Sequence, residues 1–212
     1  MDIIVLLPVL FFSIILHEFA HGWIAYRMGD DTAYYSGRLT LNPLSHVDPV
    51  GTLAVPAVCW LFGWPLFGWA KPVPVNPTRL PAPRKDMGKV AFAGPAVNLI
   101  LAALCAGLLK VSVVLQGHLT QQVFGALVYI LQYGLFVNVF LAVFNLIPIP
   151  PLDGGRVLTA LLPVQVAVRY DHLVGRYGMW IVVALVLTGV VKYILFPPTF
   201  FIVSVLTKMF GL

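Results

Sequence analysis

The chain has 212 residues, 60% of them hydrophobic and only 10% charged, with a mean hydropathy of +0.93, whereas a soluble domain carries about 25% charged residues. Lipid, not water, is therefore the expected solvent, and no length remains for a sizeable soluble domain. The formal charge of +5 does not point to nucleic acid, because the basic residues lie in connections between apolar runs and form no amphipathic face.

Taken in chain order, the first apolar run covers residues 3 to 27. Asp2 stands where a secretory signal would carry basic residues and no small-residue cleavage site follows, so a retained helix is expected. Tyr34, Tyr35, Leu39, Thr40 and Leu41, bounded by glycine and proline, favour extended structure and predict a short hairpin or sheet at the membrane surface over residues 33 to 46. Residues 50 to 70 are equally apolar but contain Pro56, Gly63, Pro65 and Gly68, which favours a re-entrant or broken segment over a straight span. The connector 71 to 85 carries five prolines and four basic residues and is expected to run extended at the edge of that sheet.

Further spans are expected at 88 to 116, 122 to 147 and 177 to 196, and the tail from Thr199 to Leu212 is too short to cross without tilting. The fold class that follows is an all-α polytopic membrane protein. It has about four to six transmembrane helices, a small membrane-associated β-hairpin and a re-entrant segment, in a single domain 1–212 with its core in 1–160 and additional C-terminal helices in 161–212. Cys59 and Cys105 lack metal or redox spacing and read as packing residues.

If residues 50 to 70 enter and leave on one side, Arg27, Arg38, Lys71, Arg79, Arg84, Lys85, Lys89, Arg156, Arg169 and Arg176 share one face. Lys110 and Lys192 then lie near helix ends on the other. The basic face is expected to be cytoplasmic.

Residues 17 to 21 read HEFAH, an H-E-x-x-H pattern. Its i, i+4 spacing puts His17 and His21 on one helical face about 6 Å apart along the axis, so one metal ion can bridge them. Glu18 lies about 100° around the helix, within reach of a metal-bound water without being a ligand. It is the only glutamate of the chain and lies roughly 14 Å along the helix from Arg27. A charged group at that depth is costly unless it is paired or faces water, which makes it a functional candidate.

A catalytic zinc takes three protein ligands and one open position. A second glutamate does not exist, and Ile24 and Arg27 occupy the positions that the extended zincin pattern needs for glycine and histidine. His46, His118, His172 and seven aspartates remain. Asp153 is the best of them, because it follows the span 122–147 in NLIPIPPLDGG and the helix parity returns it to the side of His21. Asn98, in FAGPAVN, either contacts substrate or a developing oxyanion or bonds a neighbouring helix. His46 either lines the site or bonds the surface sheet.

With HEFAHGWIAYRMGD, GRLTLNPLSHVDPVGTL, AGPAVN and NLIPIPPLDGGR in that order, the chain resembles the site-2 protease family of intramembrane metalloproteases from the first helix to about residue 160. The resemblance implies zinc held by His17, His21 and Asp153, Glu18 as base, and a substrate or oxyanion contact at Asn98. It also implies cleavage of membrane-spanning segments of other proteins, with no nucleic acid involved. Nothing resembles an inserted PDZ module or an appended CBS pair. A metal transporter or sensor using the same ligands, and a scaffold that binds client helices without cutting them, are the rival readings. The adjacency of Glu18 to His17 argues against transport, which does not require it.

Overall fold

A computed structural model describes residues 2–62 and 70–212. Nine α-helices follow in order among them: α1 Asp2–Arg27, α2 Thr32–Tyr35, α3 Val55–Leu61, α4 Pro83–Val114, α5 Gln121–Asn145, α6 Asp153–Leu161, α7 Val164–Tyr170, α8 Arg176–Leu187 and α9 Val190–Met209. Four are long and apolar enough to cross a membrane: α1 from Leu6, α4, α5 and α9.

The central helix is α4, against which α1, α5, α6 and α9 pack. At 32 residues it is about 48 Å long, more than a bilayer core requires. Its start is set by Pro83 in the first turn and by Asp86, whose carboxylate accepts the Ala82 N–H at 2.7 Å. Small residues then line its contacts. Ala102 and Ala106 meet Leu135 and Val139 of α5, with Ile202, Val203 and Leu206 of α9 packed alongside. In lipid there is no hydrophobic drive between helices, so such close backbone approach supplies the packing energy. Phe136, Phe140, Phe196 and Phe200 interlock α5 with α9, while Leu104, Leu108 and Val111 face outward where lipid lies. Cys59 is buried, Cys105 packs against Gly134, and neither is bonded to the other.

The expected hairpin is not formed: no strand occurs among the described residues. Residues 32–35 close a short helical turn that Asp30 anchors from just before it, its carboxylate accepting the Thr32 N–H at 3.1 Å and the Thr32 hydroxyl. Pro43 and Pro49 open two further turns, at Pro43–His46 and Pro49–Ala54. The connector does run extended, as a strap held at separate points rather than as a sheet edge. Lys71 N–H donates to His46 O at 2.9 Å, Val73 N–H to Glu18 Oε2 at 2.9 Å, and Asn76 N–H to Asp30 Oδ2 at 2.6 Å. Pro72 and Pro74 alternate with these donors and have no N–H to extend a ladder.

The first half of the 50–70 segment is helical, through Pro49–Ala54 and α3. Gly63, Pro65 and Gly68 lie outside the described residues. Both ends of the 28–82 stretch sit at one end of the bundle, where Asn76 reaches Asp30 and Arg79 pairs with Asp31.

The expected span 177–196 is divided. Gly189, at φ 70°, ends α8 in the left-handed conformation that glycine adopts at helix C-termini. At 12 residues α8 is too short to cross. The crossing helix is α9, which continues through Pro197 and Pro198 into the tail expected to be too short. Its C-terminal end meets that of α4, where Lys110 Nζ donates to Gly211 O at 2.9 Å. Lys192 therefore falls at the same end as Arg27 and Arg84, contrary to its expected place, and Lys110 and Lys208 mark the opposite end.

At Gly88 an added Cβ would collide with the Ala160 side chain of α6, whereas at Gly125 it would meet nothing within 4 Å. Gly88→Ala is expected to lower stability in detergent by about 1–3 kcal/mol, read by thermal unfolding, with Gly125→Ala at wild-type stability or slightly above.

Candidate metal centre

The C-terminal half of α1, the N-terminal half of α4 and the start of α6 converge toward the basic end of the bundle. His17 and His21 are 6% and 9% exposed. Their Nε2 atoms lie 3.0 Å apart, and Asp153 Oδ2 is 3.0 Å from the first and 3.3 Å from the second. Ligands that share one tetrahedral zinc at bonds of 2.0–2.1 Å stand about 3.3 Å apart.

The opposite edges of the two rings are already committed. His21 Nδ1 donates to Val90 O at 2.7 Å, an atom that can only accept. His17 Nδ1 meets Asn98 Oδ1 at 2.6 Å. Two imidazole lone pairs and a carboxylate thus face one another with no donor between them. Only positive charge placed there relieves the repulsion, as a proton on one ring or as a metal ion. Burial acts to raise the Asp153 pKa, but when a proton on the imidazole pair lets His17 and His21 donate to the carboxylate, their hydrogen bonds and charge outweigh burial and hold the carboxyl at about 2. The donor set, two nitrogens and one carboxylate oxygen, suits zinc and leaves a fourth position open. These three are the one such cluster among the described residues.

Gly94 of α4 makes the convergence possible. A Cβ there would sit 2.5 Å from His17 Nε2 and from Cε1 of both rings. Asp153 is delivered by the turn after α5, where Pro150–Pro151 is cis and where a Cβ on Gly154 would strike the carbonyls of Leu146 and Ile147. A cavity of about 160 Å³ opens over the cluster, lined also by Glu18, Val73, Asn145 and Arg156. Glu18 faces this cavity with Oε2 bonded to the Val73 N–H. A larger groove of about 720 Å³, lined by Leu109, Phe124 and Leu135 among others, lies at the other end of α4 and α5 and has no metal-binding side chain.

Of the two roles expected for Asn98, the observed contacts are those of the interhelical bond. It is fully buried, and both hydrogens of its amide are directed at α1 and α5. His46 does not line the cavity; its Nε2 donates to Thr40 O at 2.8 Å and fixes the loop in place of a sheet. His118 and His172 lie in other turns, apart from the cluster. Sequence reasoning passed over Asn138, which bonds Asn98, and the cavity residues Val73, Asn145 and Arg156. A polar residue within an apolar span was the available signal for Asn138.

The family model described as Peptidase family M50 matches residues 110–188. YwhC of Bacillus subtilis, which bears the name of a zinc metalloprotease, is 37% identical over 185 residues, covering 87% of this chain and 81% of YwhC. The chain belongs to peptidase family M50. Rip2 of Mycolicibacterium smegmatis, also named a zinc metalloprotease, is 34% identical over 176 residues, 83% of this chain and 64% of Rip2. MJ0611 of Methanocaldococcus jannaschii is 31% identical over 113 residues, 53% of this chain and 46% of that protein. No solved structure matches. The chain is accordingly an intramembrane zinc metalloprotease of the site-2 type, an integral membrane protein with membrane-embedded substrates.

Gly94→Ala is expected to displace both imidazoles. Purified protein should lose most of its bound zinc, measured by atomic emission, while its helical circular dichroism stays at the wild-type level.

Proposed function

We propose that His17, His21 and Asp153 hold the catalytic zinc, that Glu18 is the general base, and that the site opens to the cytoplasm. The observation that carries this reading is the meeting of three acceptors without a donor, with Glu18 beside them on the cavity wall. Zinc, when bound, supplies Lewis acidity that polarises a carbonyl and acidifies water. Glu18 takes the proton from the attacking water and returns it to the leaving nitrogen. Its Oε2 is held by the Val73 amide, which leaves Oε1 for that exchange.

The substrates are membrane-spanning segments of other proteins, cut after local unwinding, in regulated intramembrane proteolysis. The narrow cavity favours an extended chain over an intact helix, whose diameter is about 10–12 Å. The strap of residues 71–76 forms one wall of the cavity and is the natural place for such a chain to lie. The return of both ends of the 28–82 stretch to one end of the bundle supports a re-entrant path for the chain between them, of which residues 63–69 lie outside the described residues. The whole chain works as one unit. The cytoplasmic facing is supported by the basic residues gathered at the site end.

Glu18→Gln is expected to lower kcat by about 10³-fold with zinc content unchanged, and Asp153→Ala to lose zinc. Both are read on a reconstituted single-span substrate and by metal analysis. Wild-type cleavage by Glu18→Gln overturns the assigned base. For the facing, cysteines placed at Lys85 and Gln116, with Cys59 and Cys105 replaced by alanine, are treated with an impermeant maleimide in intact cells. Gln116→Cys should react at once and Lys85→Cys only after the membrane is opened; the reverse order places the site outside.

A further inference from the structure

Behind His17, on the side away from the cavity, α1, α4 and α5 share a chain of side-chain hydrogen bonds that ends on backbone carbonyls. Ser13 Oγ donates to Val9 O at 2.8 Å, leaving its lone pairs to accept from Asn138 Nδ2 at 2.9 Å. The same nitrogen donates to Gly134 O at 2.9 Å. Asn138 Oδ1 accepts from Asn98 Nδ2 at 2.8 Å, and that nitrogen also points at Ser13 O, 3.4 Å away. Asn98 Oδ1 then faces His17 Nδ1 at 2.6 Å. Ser13, Asn98 and Asn138 are 2%, 0% and 2% exposed.

The direction of this chain follows from the acceptors that anchor it. A backbone carbonyl only accepts, so the atoms facing Val9 O, Gly134 O and Ser13 O are donors. Turning the Asn138 amide over would set its oxygen against Gly134 O, and turning Asn98 would set its oxygen against Ser13 O. A concerted reversal would let Ser13 Oγ donate to Asn138 and Asn98 Nδ2 donate to His17, but it gives up the bond to Val9 O and leaves amide oxygens set against Gly134 O and Ser13 O. With both amides fixed, Asn98 presents oxygen to His17, and His17 Nδ1 carries the hydrogen. A histidine whose outer nitrogen is held in this way keeps the other lone pair aimed at a metal.

We propose that Asn138 and Ser13 are positioning residues which, through Asn98, fix the His17 tautomer with Nε2 turned toward His21 and Asp153 and thereby set the affinity of the site for zinc. The claim about affinity rests on His17 being a ligand; the claim about the tautomer does not. His21 reaches the same end by another route, donating directly to Val90 O, and so serves as an internal reference.

The test uses the full-length protein in detergent, ¹⁵N-labelled at histidine, metal-free and at pH 9, above the ordinary imidazole range of about 6.5. His17 signals are assigned by difference from His17→Ala. Wild type should show a protonated Nδ1 at His17 and at His21. In Asn138→Leu, His17 should divide between tautomers while His21 is unchanged. The zinc dissociation constant, read by competition with a chromophoric chelator, should rise about 10- to 100-fold. Ser13→Ala should move both readings the same way by less, and Ser13→Thr, which keeps the hydroxyl, should restore them. An unchanged His17 tautomer and zinc affinity in Asn138→Leu overturns the proposal. So does a change at His21 equal to that at His17, which is the signature of general loosening. If His17→Ala binds zinc as wild type does, the ligand assignment fails while the tautomer result stands.

Discussion

Where α4 crosses α1, the missing side chain of Gly94 leaves room that both imidazole rings fill, and the surrounding polar groups are arranged as that approach demands. Polar atoms in hydrocarbon are costly unless paired, so bringing two histidines into a bundle obliges every neighbour to offer a complementary atom. Val90 O and Asn98 Oδ1 do so from α4. Such bonds contribute about 0.6 kcal/mol each on average in membrane proteins, too little to hold a bundle together. Their effect here is geometric: they decide which atoms face the cavity.

The strap of residues 71–76 answers a different need. Glu18 is a carboxylate well inside a span, with no lysine or arginine bonded to it among the described residues. A backbone N–H from Val73 meets it instead. A dipole contributed by the main chain stabilises the carboxylate without neutralising it as a full positive charge would. Val73 also packs over Gly22 through its side chain, so the strap is seated by shape as well as by hydrogen bonds.

Much of this was legible in the sequence because the chemistry is local or punctuated. HEFAH fixes its own geometry through helical spacing, and Asp153 is marked by the prolines and glycines around it. Helix parity then linked the two. The surface hairpin misled because tyrosine, leucine and threonine favour strands only when a partner strand exists; here Asp30 anchors a helical turn through Thr32 and the prolines prevent pairing. The run 177–196 misled because hydropathy is blind to a single left-handed glycine, so one apolar stretch concealed the division between α8 and α9. The meeting of Ser13 and Asn138 was invisible for another reason: they lie 125 positions apart, and nothing local indicates that they touch.

The motifs end near residue 160, but the fold around them does not. On α8, Gly178 lets the backbone press so closely on Pro150 that any side chain there would strike the Pro150 carbonyl. At the end of α7, the Tyr170 hydroxyl donates to Pro148 O. The turn that carries Asp153 is thus braced from behind by residues with no catalytic signature of their own. A chain cut after α6 would retain HEFAH, Asn98 and the aspartate yet leave that turn without its backing, so the packing that supports the turn reaches past the last recognisable motif.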